Sequence, residues 1–331
     1  MTRIGINPAR HKLSDYRPAN VTVATLIHIP QMSGYFRHKL DVVRISLSSI
    51  MAHTTPDYDL LVFDNGSCAE VVDLLRSMHD SGTIRFLFLS SQNVGKIGAL
   101  RMIFESAPGE YVAYSDEDIL FYPGWLEAHL RIFQVFPKAG MVSGVPVRNA
   151  SRYATQSLQR LMNEEIEDLT VRPERRIPDN WEEDWALSTG RDPQAHLRAM
   201  QDHAELVLCK GGVEAIGAAN HFQFMAPRRV LLDALPKDWS GRMMGQMVEL
   251  DEAVDAAGFL RLSTVDRYTR HIGNVVSPAL LEEIRELGLD ASEVTSAPVS
   301  RRRRWLLRLP GMRRIFLALY DRMFNLLYDI D

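Results

Sequence analysis

The chain has 331 residues, of which 46% are hydrophobic and 24% are charged, and its formal net charge is -4. This composition is ordinary for a globular protein that buries a sizeable core. The net negative charge argues against a general nucleic-acid-binding protein, because affinity for phosphates needs a positive surface.

Strands and helices alternate through the first 150 residues. Strands are predicted at 21–27, 59–63, 84–89, 111–114 and 141–147, and helices at 37–51, 71–78, 97–107 and 123–136. Such alternation is typical of a parallel sheet with helices on both faces, so the predicted fold class is α/β. Sheets of this kind bind ligands beyond the carboxyl ends of their strands.

The second half of the chain has a different character. Residues 150–207 lack a strand pattern, and we predict a helical insertion that packs against the sheet. Regular structure is predicted again at 206–209, 217–224, 227–235, 244–257 and 261–264. The chain therefore divides into an N-terminal extension, a first half, a second half with the insertion, and a linker with a C-terminal tail. The boundaries are 1–20, 21–150, 151–285 and 286–331.

Polar clusters directly follow three of the predicted strands, at Asp64-Asn65, at 93–96 and at Asp116-Glu117-Asp118. Three successive carboxylates repel one another unless a cation neutralises them. Mg²⁺ and Mn²⁺ prefer hard oxygen ligands, and such ions typically combine one or two carboxylates with substrate phosphates. We therefore predict a divalent metal site at this edge of the sheet, since an ordinary solvated acidic loop is the less favoured interpretation.

Four segments resemble glycosyltransferase family 2 in their order and spacing. They are Leu-Leu-Val-Phe-Asp-Asn-Gly-Ser at 60–67, Asn-Val-Gly-Lys-Ile-Gly-Ala-Leu-Arg at 93–101, Ala-Pro-Gly-Glu-Tyr-Val-Ala-Tyr-Ser-Asp-Glu-Asp at 107–118, and Pro-Gly-Trp-Leu-Glu at 123–127. The resemblance covers 21–150 and extends more weakly to His271. It implies a GT-A type fold, a nucleotide-diphosphate sugar as donor, most commonly a UDP-sugar, and transfer with inversion.

The resemblance also implies roles for individual residues. The predicted nucleotide-binding residues are Thr25 after the first strand, Asp64, Asn65, Lys96 and Asp116. The predicted ligands of Mg²⁺ or Mn²⁺ are Asp118 and Asp116, with His271 completing the site. The first strand departs from the family because it lacks the usual Pro-Thr-x-Asn run.

An inverting transfer needs a general base near the acceptor hydroxyl. Glu249 and Asp251 are the candidates, and on a helix they point about 200° apart, so only one is expected to face the site. We favour Asp251, because the family's base is usually the aspartate of an acidic pair. This pair lies closer to the following Gly258 than the spacing in the family would place it. The segment 217–223 would form the floor of an acceptor pocket or an ordinary core strand.

Two other functions are compatible with parts of this pattern. The altered acidic pair is compatible with a nucleotide-sugar-binding protein that has lost catalysis. A metal-dependent nucleotidyltransferase ranks lower, because it needs a glycine-rich, basic phosphate loop after the first strand. Residues 28–38 contain a single glycine, Gly34, with Arg37 and His38. A dinucleotide-dependent oxidoreductase is not expected, since no Gly-x-Gly-x-x-Gly follows the first strand.

The C-terminal segment 301–328 is basic and amphipathic. It begins with four arginines, and its later apolar residues share one helical face. This pattern is typical of a helix on an anionic membrane surface, although the same face would equally suit packing on the protein or a homodimer. With two distant cysteines and no apolar run long enough to span a membrane, we expect a cytoplasmic or peripheral membrane protein. Its acceptor would be a glycan or lipid-linked glycan in polysaccharide biosynthesis.

Overall fold

The computed structural model describes residues 5–297, with the exception of 8, 11, 56, 238–242, 244 and 293. Residues Met1–Ala297 form one compact unit. The predicted basic segment 301–328 lies outside the described residues. Within the described part of the chain, the search for a helix long and apolar enough to cross a membrane finds no candidate.

Twelve strands lie in the described residues, ten of them in one sheet. The strands of the first half are β1 (Val21–Ile27), β2 (Asp59–Asn65), β3 (Phe86–Ser90), β4 (Tyr111–Asp116), β5 (Ile119–Phe121) and β6 (Ala139–Ser143). Those of the second half are β7 (Leu169–Glu174), β8 (Glu205–Lys210), β9 (Val213–Ile216), β10 (Gln223–Pro227), β11 (Leu260–Thr264) and β12 (Thr269–His271). The order in the large sheet is β3-β2-β1-β4-β10-β6-β11-β9-β8-β7, and β12 pairs with β5 in a separate ribbon.

The helices pack on both faces of this sheet. They are α1 (Lys39–His53), α2 (Ala69–Asp80), α3 (Lys96–Ser106), α4 (Trp125–Val135), α5 (Gln156–Met162), α6 (Asp179–Ser188), α7 (Pro193–Ala199), α8 (Arg228–Ala234), α9 (Met247–Ala256) and α10 (Pro278–Glu286). Side chains alternate across a strand, so β1 serves two cores. Val23 and Ile27 pack with apolar residues of α1, α2 and α4. Ala24 and Leu26 pack with those of α3, α8 and α9.

The strand directions confirm the predicted α/β class with a mostly parallel sheet. β3, β2, β1 and β4 are parallel neighbours, as are β6 and β11. Three strands, β10, β9 and β7, run against the other seven. Because β10 lies between β4 and β6, both predicted halves of the chain contribute to one sheet.

Two predictions for the second half are wrong. The insertion is not purely helical, since β7 pairs with β8 at the edge of the sheet. Its arginines, glutamates and Pro173 suit an edge strand but hide the apolar alternation. The segment 217–224 is not one strand, because β9 ends at Ile216 and β10 begins at Gln223. A Cβ on Gly217 would meet Leu158 Cδ2 at 2.4 Å, so this loop packs closely against α5.

Candidate active site

The polar clusters predicted from the sequence meet at the carboxyl ends of three neighbouring strands. In the strand register Leu26 lies beside Asp116 and Ile27 lies beside Asp64, so the ends of β2 and β4 flank the end of β1. Gly66 makes a close approach possible, because a Cβ there would lie 2.9 Å from the backbone nitrogen of Asn93. The loops after β2 and β3 therefore touch at this edge.

Two lysines neutralise the acidic turn that joins β4 to β5. Lys39 Nζ, on the first turn of α1, lies 2.7 Å from Asp118 Oδ2 and 3.0 Å from Glu117 Oε1. Lys96 Nζ, at the start of α3, donates to both oxygens of Asp116 at 2.7 and 2.8 Å. The repulsion expected from three successive acids is thus relieved in part by the chain's own ammonium groups.

The acids of this turn differ in how readily they ionise. Burial alone would raise the pKa of Asp118, but the neighbouring His271 and Lys39 lower it to about 2. Burial raises the pKa of Glu117, and the negative charge of Asp118 adds to that effect against the attraction of Lys39. Burial alone would lower the pKa of Lys39, but the negative charges of Asp118 and Glu117 raise it above the ordinary value. Asp118 is therefore the carboxylate held ionised.

His271 reaches the turn from the other end of the chain. β12 pairs with β5 so that His271 lies opposite Ile119, and its Nε2 is 3.5 Å from Asp118 Oδ1. The other ring nitrogen, Nδ1, is 2.8 Å from the hydroxyl of Ser188 at the end of α6. A hydrogen bond on one ring nitrogen fixes the orientation of the other, as is usual for histidines that bind metals.

Asp118 and His271 fit a divalent metal whose remaining ligands come from phosphate and water. Their facing atoms, Oδ1 and Nε2, would both be ligands, and Mg²⁺ commonly binds to proteins through so few groups when phosphates complete its shell. Among the described residues, no three acidic, histidine or cysteine side chains cluster as a metal site by themselves. Asp116 is less suited than predicted, because Lys96 and the Tyr114 hydroxyl hold its carboxylate.

The predicted nucleotide-binding residues lie at this edge with one exception. Thr25 does not follow the first strand, because β1 continues to Ile27, and its buried hydroxyl is 3.2 Å from that of Ser115. Asp64 accepts from Ser67 N through Oδ2, while its buried Oδ1 has no hydrogen-bond partner among the described residues. An unpartnered buried carboxylate oxygen is costly and suits a ligand's N–H or O–H group.

Asn65 has a structural role that the sequence did not reveal. Its Nδ2 donates to Asn93 Oδ1 at 2.9 Å, and its Oδ1 accepts from Val94 N at 2.8 Å. Its carbonyl oxygen is 2.9 Å from His28 Nδ1. The Asn65 side chain thus ties the loop after β2 to the loop after β3, and it positions Lys96 at the start of α3.

The two candidate bases on α9 lie in different surroundings. Glu249 is exposed and accepts from Gln246 Nε2 at 3.0 Å. Asp251 is fully buried, and its Oδ2 lies 2.7 Å from the Tyr153 hydroxyl, 2.9 Å from His221 Nδ1 and 3.1 Å from an Arg261 nitrogen. The geometry favours Asp251 over Glu249, as expected for residues two positions apart on a helix.

Several site residues were not found by sequence reasoning. Lys39 and Ser188 carry no recognisable motif, and each reaches the site only through long-range packing. A lysine on the buried side of an amphipathic helix was the one available signal for Lys39.

Comparison with known proteins gives the same family as the sequence motifs. Residues 35–186 match the family model described as glycosyl transferase family 2. The match covers a little less than half of the chain. An uncharacterized glycosyltransferase of Nostoc sp. is 26% identical over 97 residues, which are 29% of this chain and 30% of that protein. The chain spans less than a third of the length of the curated relatives that it matches.

Two solved structures have partial similarity to this chain. The mannosyltransferase PcManGT from Pyrobaculum calidifontis, in complex with GDP-Man and Mn²⁺, is 24% identical with a TM-score of 0.31, covering 41% of this chain and 37% of that one. GalNAc-T7 with UDP, GalNAc and Mn²⁺ is 13% identical with a TM-score of 0.47, covering 82% of this chain and 48% of that one.

Gly273 controls how closely the segment after His271 approaches α6. Its φ is +82°, and a Cβ would lie 2.5 Å from the carbonyl oxygen of Ser188. We expect Gly273→Ala to lower the free energy of unfolding by about 1–3 kcal/mol, because it adds strain and a clash, and to separate Ser188 from His271. Thermal unfolding and the Mn²⁺ concentration needed for donor binding measure the two effects.

Gly288→Ala is the matched control for Gly273→Ala. Gly288 also has a positive φ, +73°, but its Cβ would meet no atom within 4 Å. The control should lose stability through backbone strain alone and keep the parent's Mn²⁺ requirement. An unchanged Mn²⁺ requirement in Gly273→Ala as well would contradict a role for this contact in orienting His271.

Proposed function

We propose that the protein is a glycosyltransferase that moves a sugar from a nucleotide-diphosphate sugar to an acceptor hydroxyl with inversion. The observation that carries the proposal is the pairing of Asp118 with His271 at the carboxyl edge of the sheet. Beside this pair lie the ammonium group of Lys96 and the unpartnered oxygen of Asp64. The metal pair and the ammonium group suit the negative charge of a diphosphate, and the unpartnered carboxylate oxygen suits a hydrogen-bond donor of a nucleoside.

The chain's own residues have separate tasks in the proposed reaction. Asp118 and His271 would hold Mg²⁺ or Mn²⁺, which when bound acts as a Lewis acid on the departing diphosphate. Asp64 Oδ1 accepts a hydrogen bond from the nucleoside, and Lys96 adds positive charge beside Asp116. The general base comes from the group of side chains around Asp251, which includes the partly exposed His221, whereas the exposed Glu249 takes no part.

The finer features of substrate and location follow from the family resemblance and the tail sequence. We propose a UDP-sugar as donor and a glycan or lipid-linked glycan as acceptor. The basic segment 301–328 would hold the protein on an anionic membrane surface, since each basic residue near such a surface contributes roughly 1 kcal/mol. A homodimer through the apolar residues of that segment is the alternative.

Vesicle flotation tests the membrane proposal. The full chain should float with anionic vesicles at low salt and lose binding as salt screens its charges. A chain ending at Ala297 should stay in the dense fraction with the same vesicles. Equal flotation of both chains would contradict the proposal. If light scattering then shows a dimeric mass for the full chain and a monomeric mass for the chain ending at Ala297, the segment forms a homodimer instead.

A screen of nucleotide sugars by thermal unfolding tests the proposed function directly. UDP-glucose, UDP-N-acetylglucosamine and GDP-mannose would be compared with and without Mn²⁺. A ligand at about 100 times its Kd stabilises the native state by about 2.7 kcal/mol, so a matching donor should raise Tm by several degrees only when Mn²⁺ is present. Release of nucleoside diphosphate then distinguishes a transferase from a protein that only binds its ligand.

A non-catalytic protein that binds nucleotide sugars is the second candidate, because the acidic pair departs from the family spacing.

A further inference from the structure

His221 lies beside the acidic turn at the carboxyl edge of the sheet. β10 is antiparallel to β4 with Gln223 opposite Ser115, and the Phe222 carbonyl accepts from Asp116 N at 2.8 Å. His221, which directly precedes Phe222, therefore lies at the level of the acidic turn. The Phe222 ring also packs edge-on against His271, with 5.4 Å between ring centroids.

His221 and Asp251 differ in their access to a ligand. The Asp251 side chain is fully buried: its Oδ2 already contacts three neighbouring groups, and its Oδ1 is enclosed without a hydrogen-bond partner, so an acceptor hydroxyl in solvent reaches neither oxygen. The His221 side chain is 30% exposed, and its Nδ1 lies 2.9 Å from Asp251 Oδ2. Among the described residues, none makes a hydrogen bond to His221 Nε2. Because Nδ1 contacts Asp251, Nε2 is the ring nitrogen left for a ligand.

We propose that His221 is the general base of the reaction and that Asp251 is its positioning residue. The inference rests on the proposed sugar transfer and assigns its proton acceptor. An ionised carboxylate only accepts hydrogen bonds, so Nδ1 carries the ring proton and donates it to Asp251. This tautomer leaves the lone pair on Nε2, which can receive a proton from an acceptor.

The proposed step balances as a simple displacement. The acceptor oxygen forms a bond to the anomeric carbon of the donor sugar while its proton passes to His221 Nε2. The bond from that carbon to the diphosphate oxygen breaks, and the nucleoside diphosphate leaves with the electron pair. The imidazolium that forms is stabilised by the adjacent Asp251 carboxylate, and it later releases its proton to water.

The other charged and titratable groups around this pair have supporting roles. The Tyr153 hydroxyl donates to Asp251 at 2.7 Å and lies 3.3 Å from His221 Nδ1. The Arg261 guanidinium contacts Asp251 at 3.1 Å and lies over the Tyr153 ring, 4.9 Å from its centroid. Arg261 and Tyr153 thus hold the Asp251 carboxylate in place, and its Oδ2 orients the imidazole through Nδ1.

The decisive experiment is chemical rescue of His221→Ala. Hydrolysis of the best donor from the thermal screen is followed as release of nucleoside diphosphate, with water as acceptor and Mn²⁺ present. We expect His221→Ala to lower kcat by about 10² to 10⁴-fold with unchanged thermal stabilisation by the donor. Added imidazole should raise the kcat of His221→Ala at least tenfold, because it supplies the missing proton acceptor. Asp251→Asn should lower kcat without rescue by imidazole.

His79→Ala is the matched control, since His79 is an exposed histidine in the last turn of α2 and should keep the parent's kcat. Parent-like kcat in His221→Ala, or a loss that imidazole does not restore, would overturn the assignment while donor binding and hydrolysis by the parent still support sugar transfer. If the parent neither binds nor hydrolyses any donor of the screen, the proposed function fails and the assignment of His221 fails with it.

Discussion

Asp118→Asn is expected to lower turnover by about a thousandfold and to remove the effect of Mn²⁺ on donor binding. Asparagine keeps the shape of Asp118 but lacks the charge that binds the metal. Loss of the proposed metal would remove several kcal/mol of charge stabilisation at the leaving diphosphate, and about 4 kcal/mol corresponds to a thousandfold. Donor-induced thermal shifts with and without Mn²⁺, together with nucleoside diphosphate release, measure both effects.

Among the described residues, the same substitution leaves Glu117 as the one remaining acidic partner of the buried Lys39, so stability has to be separated from activity. Lys39 is 3% exposed, and removing one partner of a buried ion pair is destabilising. Adding Lys39→Met to Asp118→Asn should recover stability without recovering turnover. If Asp118→Asn alone retains the parent's Mn²⁺-dependent turnover, Asp118 is not a metal ligand in this protein.

Arg148→Met is expected to destabilise the protein by about 3–5 kcal/mol and to lower Tm by roughly 10 °C. The Arg148 guanidinium is buried, lies 2.9 Å from both Glu205 Oε1 and Asp179 Oδ1, and donates to the carbonyl of Ile177. Its backbone N–H donates to the buried carboxylate of Glu182 on α6. Without the guanidinium, the carboxylate of Glu205 stays buried beside an uncharged side chain. Urea and thermal unfolding measure the loss.

Arg172→Met is the control for Arg148→Met. Arg172 also lies in the insertion and also pairs with two carboxylates, Glu174 and Glu214, but its side chain is 46% exposed. Exposed ion pairs contribute little to stability because water and salt screen them, so this variant should unfold close to the parent. Similar losses in the two variants would mean that burial of the Arg148 cluster does not determine the stability of the insertion.

Much of the first half of the fold could be predicted from the sequence. β1, β2 and β4 are buried and apolar, and their polar ends mark the carboxyl edge of the sheet, so periodicity and turn residues were sufficient. The place of Asp118 at this edge was predictable for the same reason, because it lies in the turn between β4 and β5. These signals are local in the chain, and tertiary packing reinforces them.

The remaining features depend on contacts between distant residues. Lys39 meets Asp118 across 79 positions of the chain, and Ser188 meets His271 across 83. The pairing of His221 with Asp251 likewise joins a loop to a helix. Thr25 was misplaced because an apolar strand gives no sign of where ligand contact starts along it. β7 was missed because an exposed edge strand resembles a polar loop in composition.

The β5–β12 ribbon has a consequence for the order in which the protein acquires its parts during synthesis. His271 follows Asp118 by 153 residues, and the ribbon that pairs Ile119 with His271 cannot form until nearly the whole described chain has left the ribosome. The strands β1 to β4 have short-range neighbours and can associate early, whereas pairing across such a long loop is slow. A nascent chain would therefore acquire the walls of the proposed nucleotide site well before His271 could complete the proposed metal site, so under this proposal an incomplete chain would not consume donor.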